Sequence, residues 1–306
     1  MEDDLDFSAP PPPPPPAKAE AVARIVAQPT AQSPLYSPAL ALEFVRSSGT
    51  VEQKPGGKPI FAENDKAGGL FGKAARMYLL LEGEVGLMLK NKFFGVIKQG
   101  DVFGELAVIA GLPRSATAMA KTDCKVLSLD EKQFHAALQK TPDFALMLMS
   151  IMGLRLRQSV AKLNAAGAAS PPPADRSNVF DKKMMVELAR ELTDQPPMPF
   201  DSGKAIITAG AVGAFMYVVV DGRVAITIGE RVIERIGPGG IFGEMALVDR
   251  SARAANATAE TNCALFSIGR NDFLALVKAK PVFGALLLKS IAERMQNLAQ
   301  QVAQAT

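Results

Sequence analysis

The sequence predicts a mainly β fold with α: two tandem β-roll or jelly-roll units, each followed by helices. Three observations predict it. The chain repeats itself without a gap at one fixed shift, which carries Phe103-Gly104-Glu105 onto Phe242-Gly243-Glu244. Each copy opens with short apolar runs broken by glycine-containing turns and closes with helical patterns. A stretch of small residues ending in a proline triplet separates the copies. A length of 306 residues gives room for two cores.

The repeat is dense. Met77-Tyr78 falls on Met216-Tyr217, Gly83 on Gly222, Gly100 on Gly239 and Arg114 on Arg253. Cys124 falls on Cys263, Phe134 on Phe273, Phe144 on Phe283 and Arg155 on Arg294. Two copies this long are a domain duplication, not a solenoid, whose periods are about 20–50 residues. The register fails only upstream, where the first copy holds extra Gly- and Lys-containing material within 66–76, read as a longer surface loop.

Within each copy the elements follow in order. Apolar runs at 77–81 and 85–89 flank Glu82-Gly83, and those at 216–220 and 224–228 flank Asp221-Gly222, as in hairpins. Alternation at Ala118-x-Ala120 and Val126-x-Ser128, and at their counterparts, gives two more strands. Helices are expected at 132–139 and 144–163, then at 271–278 and 283–303, with Pro142 and Pro281 near the start of the longer ones. Many short strands followed by helices suit a small β-roll.

The remaining stretches set the boundaries. Residues 10–16 are seven prolines after an acidic start, a composition that favours extended polyproline II. Residues 164–174 run from small residues into three prolines and stop a helix. The expected organisation is a disordered tail at 1–40, a first domain at 41–163, a linker at 164–178 and a second domain at 179–306. Net charge is +3 with both signs spread along the chain, so no nucleic-acid footprint is read from charge. No apolar run reaches the ~18 residues of a membrane span. Two cysteines, Cys124 and Cys263, make no disulfide framework and suit small buried strand positions. A cytoplasmic location is expected. The single histidine, His135, has no metal-type neighbours in sequence, and the methionines of 147–152 read as core.

The chemistry lies in the densest part of the repeat. Residues 103–116 read Phe-Gly-Glu-Leu-Ala-Val-Ile-Ala-Gly-Leu-Pro-Arg-Ser-Ala, and 242–255 read Phe-Gly-Glu-Met-Ala-Leu-Val-Asp-Arg-Ser-Ala-Arg-Ala-Ala. A guanidinium offers a planar fork of donors that stays charged, suited to a compact anion such as a cyclic phosphodiester. Gly104-Glu105-Leu106-Ala107 reads as a strand end opening into a helical turn, whose free N–H groups attract phosphate. Gly104 lets a ligand approach the backbone closely. Both stretches closely resemble the phosphate-binding cassette of the cyclic-nucleotide-binding superfamily, which includes kinase regulatory subunits and catabolite activator proteins. The resemblance implies that Glu105 and Glu244 accept a ribose 2′-hydroxyl. It implies that Arg114 and Arg253 hold the phosphate, and that Ala107 and Ala246 donate backbone N–H to it. Gly104, Leu106, Ser115 and Ala116, with Gly243, Met245, Ala254 and Ala255, complete the candidate sites. Ser115 keeps a hydroxyl after the arginine and Ala254 does not. The first site is therefore open to cAMP or cGMP, and the second resembles cAMP sites.

No catalytic constellation, metal cluster or cofactor motif is present in the sequence, so a non-enzymatic cAMP sensor acting on a protein effector is expected. The Pro-rich tail is one route to that effector. Little chain follows the second unit, and the resemblance to DNA-binding activators stops there, so no direct DNA binding is expected. Two other readings stand beside this one. One is a scaffold that binds partners independently of nucleotide. The other is a kinase-type regulatory subunit, although the chain has no Arg-Arg pair of the kind such inhibitors carry.

Overall fold

A computed structural model describes residues 28–65, 74–90, 92–165, 174–175, 178–248 and 252–305. The proline run and most of the extra loop at 66–76 lie outside them.

The first copy begins with a 3-10 turn at Thr30–Gln32 and helix α1, Pro38–Arg46. Ser37 caps α1 by accepting from the Leu40 N–H, and Pro38 occupies the first turn, where no N–H donor is needed. Eight strands follow: β1 Thr50–Lys54, β2 Pro59–Phe61, β3 Met77–Glu82, β4 Val85–Leu89, β5 Lys92–Ile97, β6 Val102–Phe103, β7 Thr117–Ala120 and β8 Cys124–Leu129. Helix α2, Glu105–Ala110, sits between β6 and β7. The strands form two antiparallel sheets, ordered β1-β8-β3-β6 and β2-β7-β4-β5. Helices α3, Glu131–Lys140, and α4, Asp143–Ala165, complete the copy. Asp130 and Gln133 start α3 with a reciprocal capping box at 2.9 Å in each direction.

The second copy repeats this plan. It comprises β9 Ala174–Asp175, α5 Lys182–Glu191, β10 Met198–Phe200, β11 Ala205–Ile207, β12 Met216–Asp221, β13 Val224–Ile228, β14 Arg231–Ile236 and β15 Ile241–Phe242. A 3-10 turn, Glu244–Leu247, stands where the first copy has α2. Then come β16 Asn256–Ala259, β17 Cys263–Ile268, α6 Arg270–Ala279 and α7 Pro281–Ala305. The sheet orders are β10-β17-β12-β15 and β11-β16-β13-β14-β9, so β9 adds a short parallel strand beside β14. The mainly β architecture with trailing helices follows the sequence expectation, and the helices extend one to two residues past the expected bounds. The organisation differs at the start, where residues 28–40, expected to be tail, belong to the first unit and include the start of α1, and in the expected linker 164–178, which holds the end of α4 and strand β9. At the start, Thr30 is 2% exposed, and its hydroxyl donates to the Val102 carbonyl at 2.9 Å.

Each sandwich has its own apolar centre. Tyr78, Leu80, Val85, Ile97, Phe103 and Val126 fill the first; Val219, Val224, Ile236, Phe242 and Leu265 fill the second. A third core joins the units. It contains Phe44, Phe134 and Phe144 from one copy and Phe180, Phe273 and Phe283 from the other. The rings of Phe44 and Phe144 stack at 3.7 Å, and those of Phe180 and Phe283 at 5.2 Å. The methionines of α4 lie in this core: Met147, Met149 and Met152 are all buried. Cys124 and Cys263 are buried and unpaired, as their strand positions predict. Helices α4 and α7 pack on each other, α2 packs on α7, and the 3-10 turn of the second copy packs on α4. Each cassette therefore leans on the other unit's long helix. No helix among the described residues is long and apolar enough to cross a membrane.

Candidate functional site

The two cassettes share one construction. Strands β3 and β6 pair Tyr78 with Phe103, and β12 and β15 pair Tyr217 with Phe242. The chain then turns through Gly104 at φ 71° and Gly243 at φ 74°, the left-handed region that glycine tolerates best. A Cβ on Gly104 would lie 2.6 Å from Arg114 Nη1, and one on Gly243 would lie 3.0 Å from Arg253 Nη1. From sequence, this glycine serves the approach of a ligand to the backbone. The structure adds that it admits the arginine.

Each arginine is held by the backbone. Arg114 donates through Nη1 to the Gly104 carbonyl and through Nη2 to the Arg76 carbonyl, both at 2.7 Å. Arg253 donates to the Gly243 carbonyl at 2.9 Å and to the Phe215 carbonyl at 2.7 Å. A guanidinium carries five donors, so these bonds orient the fork and leave donors for an anion. The Arg114 guanidinium also lies 4.1 Å from the centroid of the Phe61 ring. Burial lowers the pKa of both arginines. A desolvated cation of this kind gains from an incoming anion.

All seven candidate residues of each copy line one cavity. Gly104, Glu105, Leu106, Ala107, Arg114, Ser115 and Ala116 line the first. Gly243, Glu244, Met245, Ala246, Arg253, Ala254 and Ala255 line the second. The cavities differ in size, about 40 Å³ against about 400 Å³. The amides differ as well. Ala246 N–H already closes a 3-10 turn onto the Gly243 carbonyl at 3.1 Å, whereas Ala107 lies in the first turn of α2.

The glutamates sit in different electrostatic settings. Glu244 accepts from Arg294 Nη1 at 2.6 Å, and Arg294 Nη2 reaches both Glu234 oxygens at 3.2 Å. Burial pulls the Arg294 pKa down, but Glu234 and Glu244 outweigh it and hold it up. Glu105 is 8% exposed, and burial raises its pKa against the pull of Arg155 and Arg114. Burial lowers the Arg155 pKa, opposed by Glu105. The sequence shows these arginines only as a matched pair in the repeat. That match was the available signal for Arg155 and Arg294, and it says nothing about which strand each helix faces.

Two matches to the family profile described as cyclic nucleotide-binding domain span residues 51–141 and 197–280, more than half of the chain. The chain belongs to the cyclic nucleotide-binding domain family. Among curated relatives, a cAMP-dependent protein kinase regulatory subunit of Eremothecium gossypii is 27% identical over 201 residues. That match covers 65% of this chain and 39% of the relative, so the chain spans about two-fifths of that relative's length. Among solved structures, the regulatory domain of Toxoplasma gondii PKA with cAMP is 21% identical. It covers 92% of this chain and 98% of its own, with a TM-score of 0.29. The Thermus thermophilus catabolite activator protein is 30% identical, covering 39% of this chain and 58% of its own, with a TM-score of 0.35.

The second of these cyclic nucleotide-binding domains includes residues that its own sequence does not supply. Gly153, Leu156 and Arg157 of α4 line its cavity. Gly153 makes room for Met245, because a Cβ there would overlap the methionine thioether. The described residues hold no cluster of three or more metal-ligating side chains.

Proposed function

We propose that the chain is a non-enzymatic, cytoplasmic sensor that binds a cyclic mononucleotide, cAMP foremost, in two cassettes. Its units are read as 41–163 and 179–306. The observation that carries this reading is the convergence of seven cassette residues of each copy on one cavity, beside an arginine fork already held open. Arg114 and Arg253 take the cyclic phosphate, and Glu105 and Glu244 take the ribose hydroxyl. Ser115 leaves the first site open to cGMP as well as cAMP, and Ala254 favours cAMP at the second. The kinase regulatory subunit found among the relatives supports cAMP as ligand and a protein as partner. The cassettes rest on α4 and α7, so a ligand that tightens one conformation of a cassette shifts how those helices meet a partner.

Calorimetric titration of the whole chain with cAMP tests this. About two sites per chain are expected. Arg114→Ala and Arg253→Ala each weaken one site by roughly 10- to 100-fold, the worth of a charge-assisted hydrogen bond. No heat from the wild-type chain, or unchanged binding in both variants, overturns the proposal.

A further inference from the structure

The first cavity is small, and a segment from the start of the described chain lines it. Gln28, Pro29 and Thr30 line it together with Gly104, Glu105, Arg114 and Ala116 of the cassette. The segment is anchored at three points. The Gln28 carbonyl accepts from Arg155 Nη2 at 2.7 Å. Pro29 is buried, with its ring next to Gly95 on β5. The Thr30 hydroxyl donates to the Val102 carbonyl at 2.9 Å, one residue before the cassette.

The second copy shows why the segment fits only here. Strand pairing sets Gly95 opposite Leu87 and Glu234 opposite Ile226, so Gly95 and Glu234 are equivalent positions. In the second copy the Glu234 carboxylate engages Arg294. In the first copy that carboxylate is missing, Pro29 covers the glycine, and the Gln28 carbonyl engages the equivalent Arg155. The linker strand β9 also runs beside β14 at Glu234, yet no described linker residue lines the second cavity.

We propose that residues 28–30 are a built-in peptide occupant of the first cassette, which a nucleotide must displace before it can bind there. The proposal rests on the cyclic-nucleotide reading for its ligand, but the occupant itself is a property of the nucleotide-free chain. Occupancy divides the pool of binding-competent first sites, so the apparent affinity falls by the competent fraction. Among the described residues no such segment lines the second cavity, so the second site is expected to pay no such penalty. The chain then reports two concentrations of one ligand, filling the open site first and the occupied one later.

The test uses the full chain carrying Arg253→Ala, which isolates the first site for cAMP titration. Thr30→Val keeps the shape of the segment and deletes its hydrogen bond, and about fivefold tighter cAMP binding is expected. Gly95→Glu installs the acid of the second copy where Pro29 lies, and about tenfold or more is expected. Amide hydrogen exchange of 28–32 is followed in parallel without nucleotide. Slow exchange in the parent chain and faster exchange in both variants is expected. Fast exchange in the parent chain, or cAMP affinity unchanged in both variants that do bind it, overturns the inference. If no chain binds cAMP, the ligand reading fails and exchange alone decides: protection lost in the variants upholds the occupant, and protection unchanged in them overturns it.

Discussion

The two cassettes carry the same arginine fork and differ in what the helix arginine beside the glutamate also engages. In the second, Glu244 is one end of a Glu234–Arg294–Glu244 bridge whose three side chains are 5–21% exposed. In the first, Arg155 acts electrostatically on Glu105 and also donates to the Gln28 carbonyl, and Gln28 lines the cavity. A site can therefore keep every residue of its motif and still be altered by one position on a neighbouring strand. Gly95 against Glu234 is that position.

The comparison breaks most decisively at the bridge. Arg294→Ala leaves buried Glu244 and half-buried Glu234 without their shared cation, and a loss of about 3–5 kcal/mol is expected in urea unfolding of the second unit. Arg155→Ala is expected to cost clearly less. Burial already raises the Glu105 pKa, so taking up a proton costs that carboxylate less when its partner is removed. Equal losses in the two variants would erase the electrostatic distinction between the sites.

A smaller effect separates the cavities. Gly153→Ala on α4 pushes the Met245 thioether toward the second cavity, which Met245 lines. The methionine tip is flexible, so stability should change by less than about 1 kcal/mol, with the better helix propensity of alanine as an offset. Nucleotide affinity should fall at the second site alone, and Met245→Ala should restore it. A fall at both sites in titration would show that α4 does not act locally.

The smallest effect is one of pH. Burial raises the Glu105 pKa above its ordinary 4.5, so the folded chain holds that proton more tightly than the unfolded one. The linked stability is complete below about pH 4.5 and is lost as pH rises through the folded value. Glu105→Gln removes that dependence and should stabilise the first unit slightly near neutrality, as a small rise in melting temperature in thermal unfolding. Glu244→Gln should instead destabilise the second unit, because it takes a charge from Arg294. Stabilisation by both would mean that the two glutamates are alike.

Much of this was legible in the sequence because the motif is local. Gly, Glu and Arg at fixed spacing imply a turn, a carboxylate and a fork within one short stretch, and the repeat confirmed them in register. Strand pairing and the helices followed from glycine breaks and periodicity. The role of Arg155 was not legible, because its partners come from a cassette and a segment far away in the chain. The proline-rich composition predicts a tail through residue 40, yet Pro29 and Thr30 are buried, and Pro29 lies against a glycine on β5 that composition does not reveal. The seating of Met245 on Gly153 was equally hidden, since it joins two units whose docking no local pattern encodes.

The pairing of α4 with α7 has one more consequence. Two identical chains docked in this way would have to change both halves at once, since a single gene would write each substitution twice. Here the halves are joined in one chain and their shared core is held by matched phenylalanines, so one half can change while the other stays fixed. Glycine at 95 and glutamate at 234 are one such difference, carried on a scaffold that remains nearly symmetric.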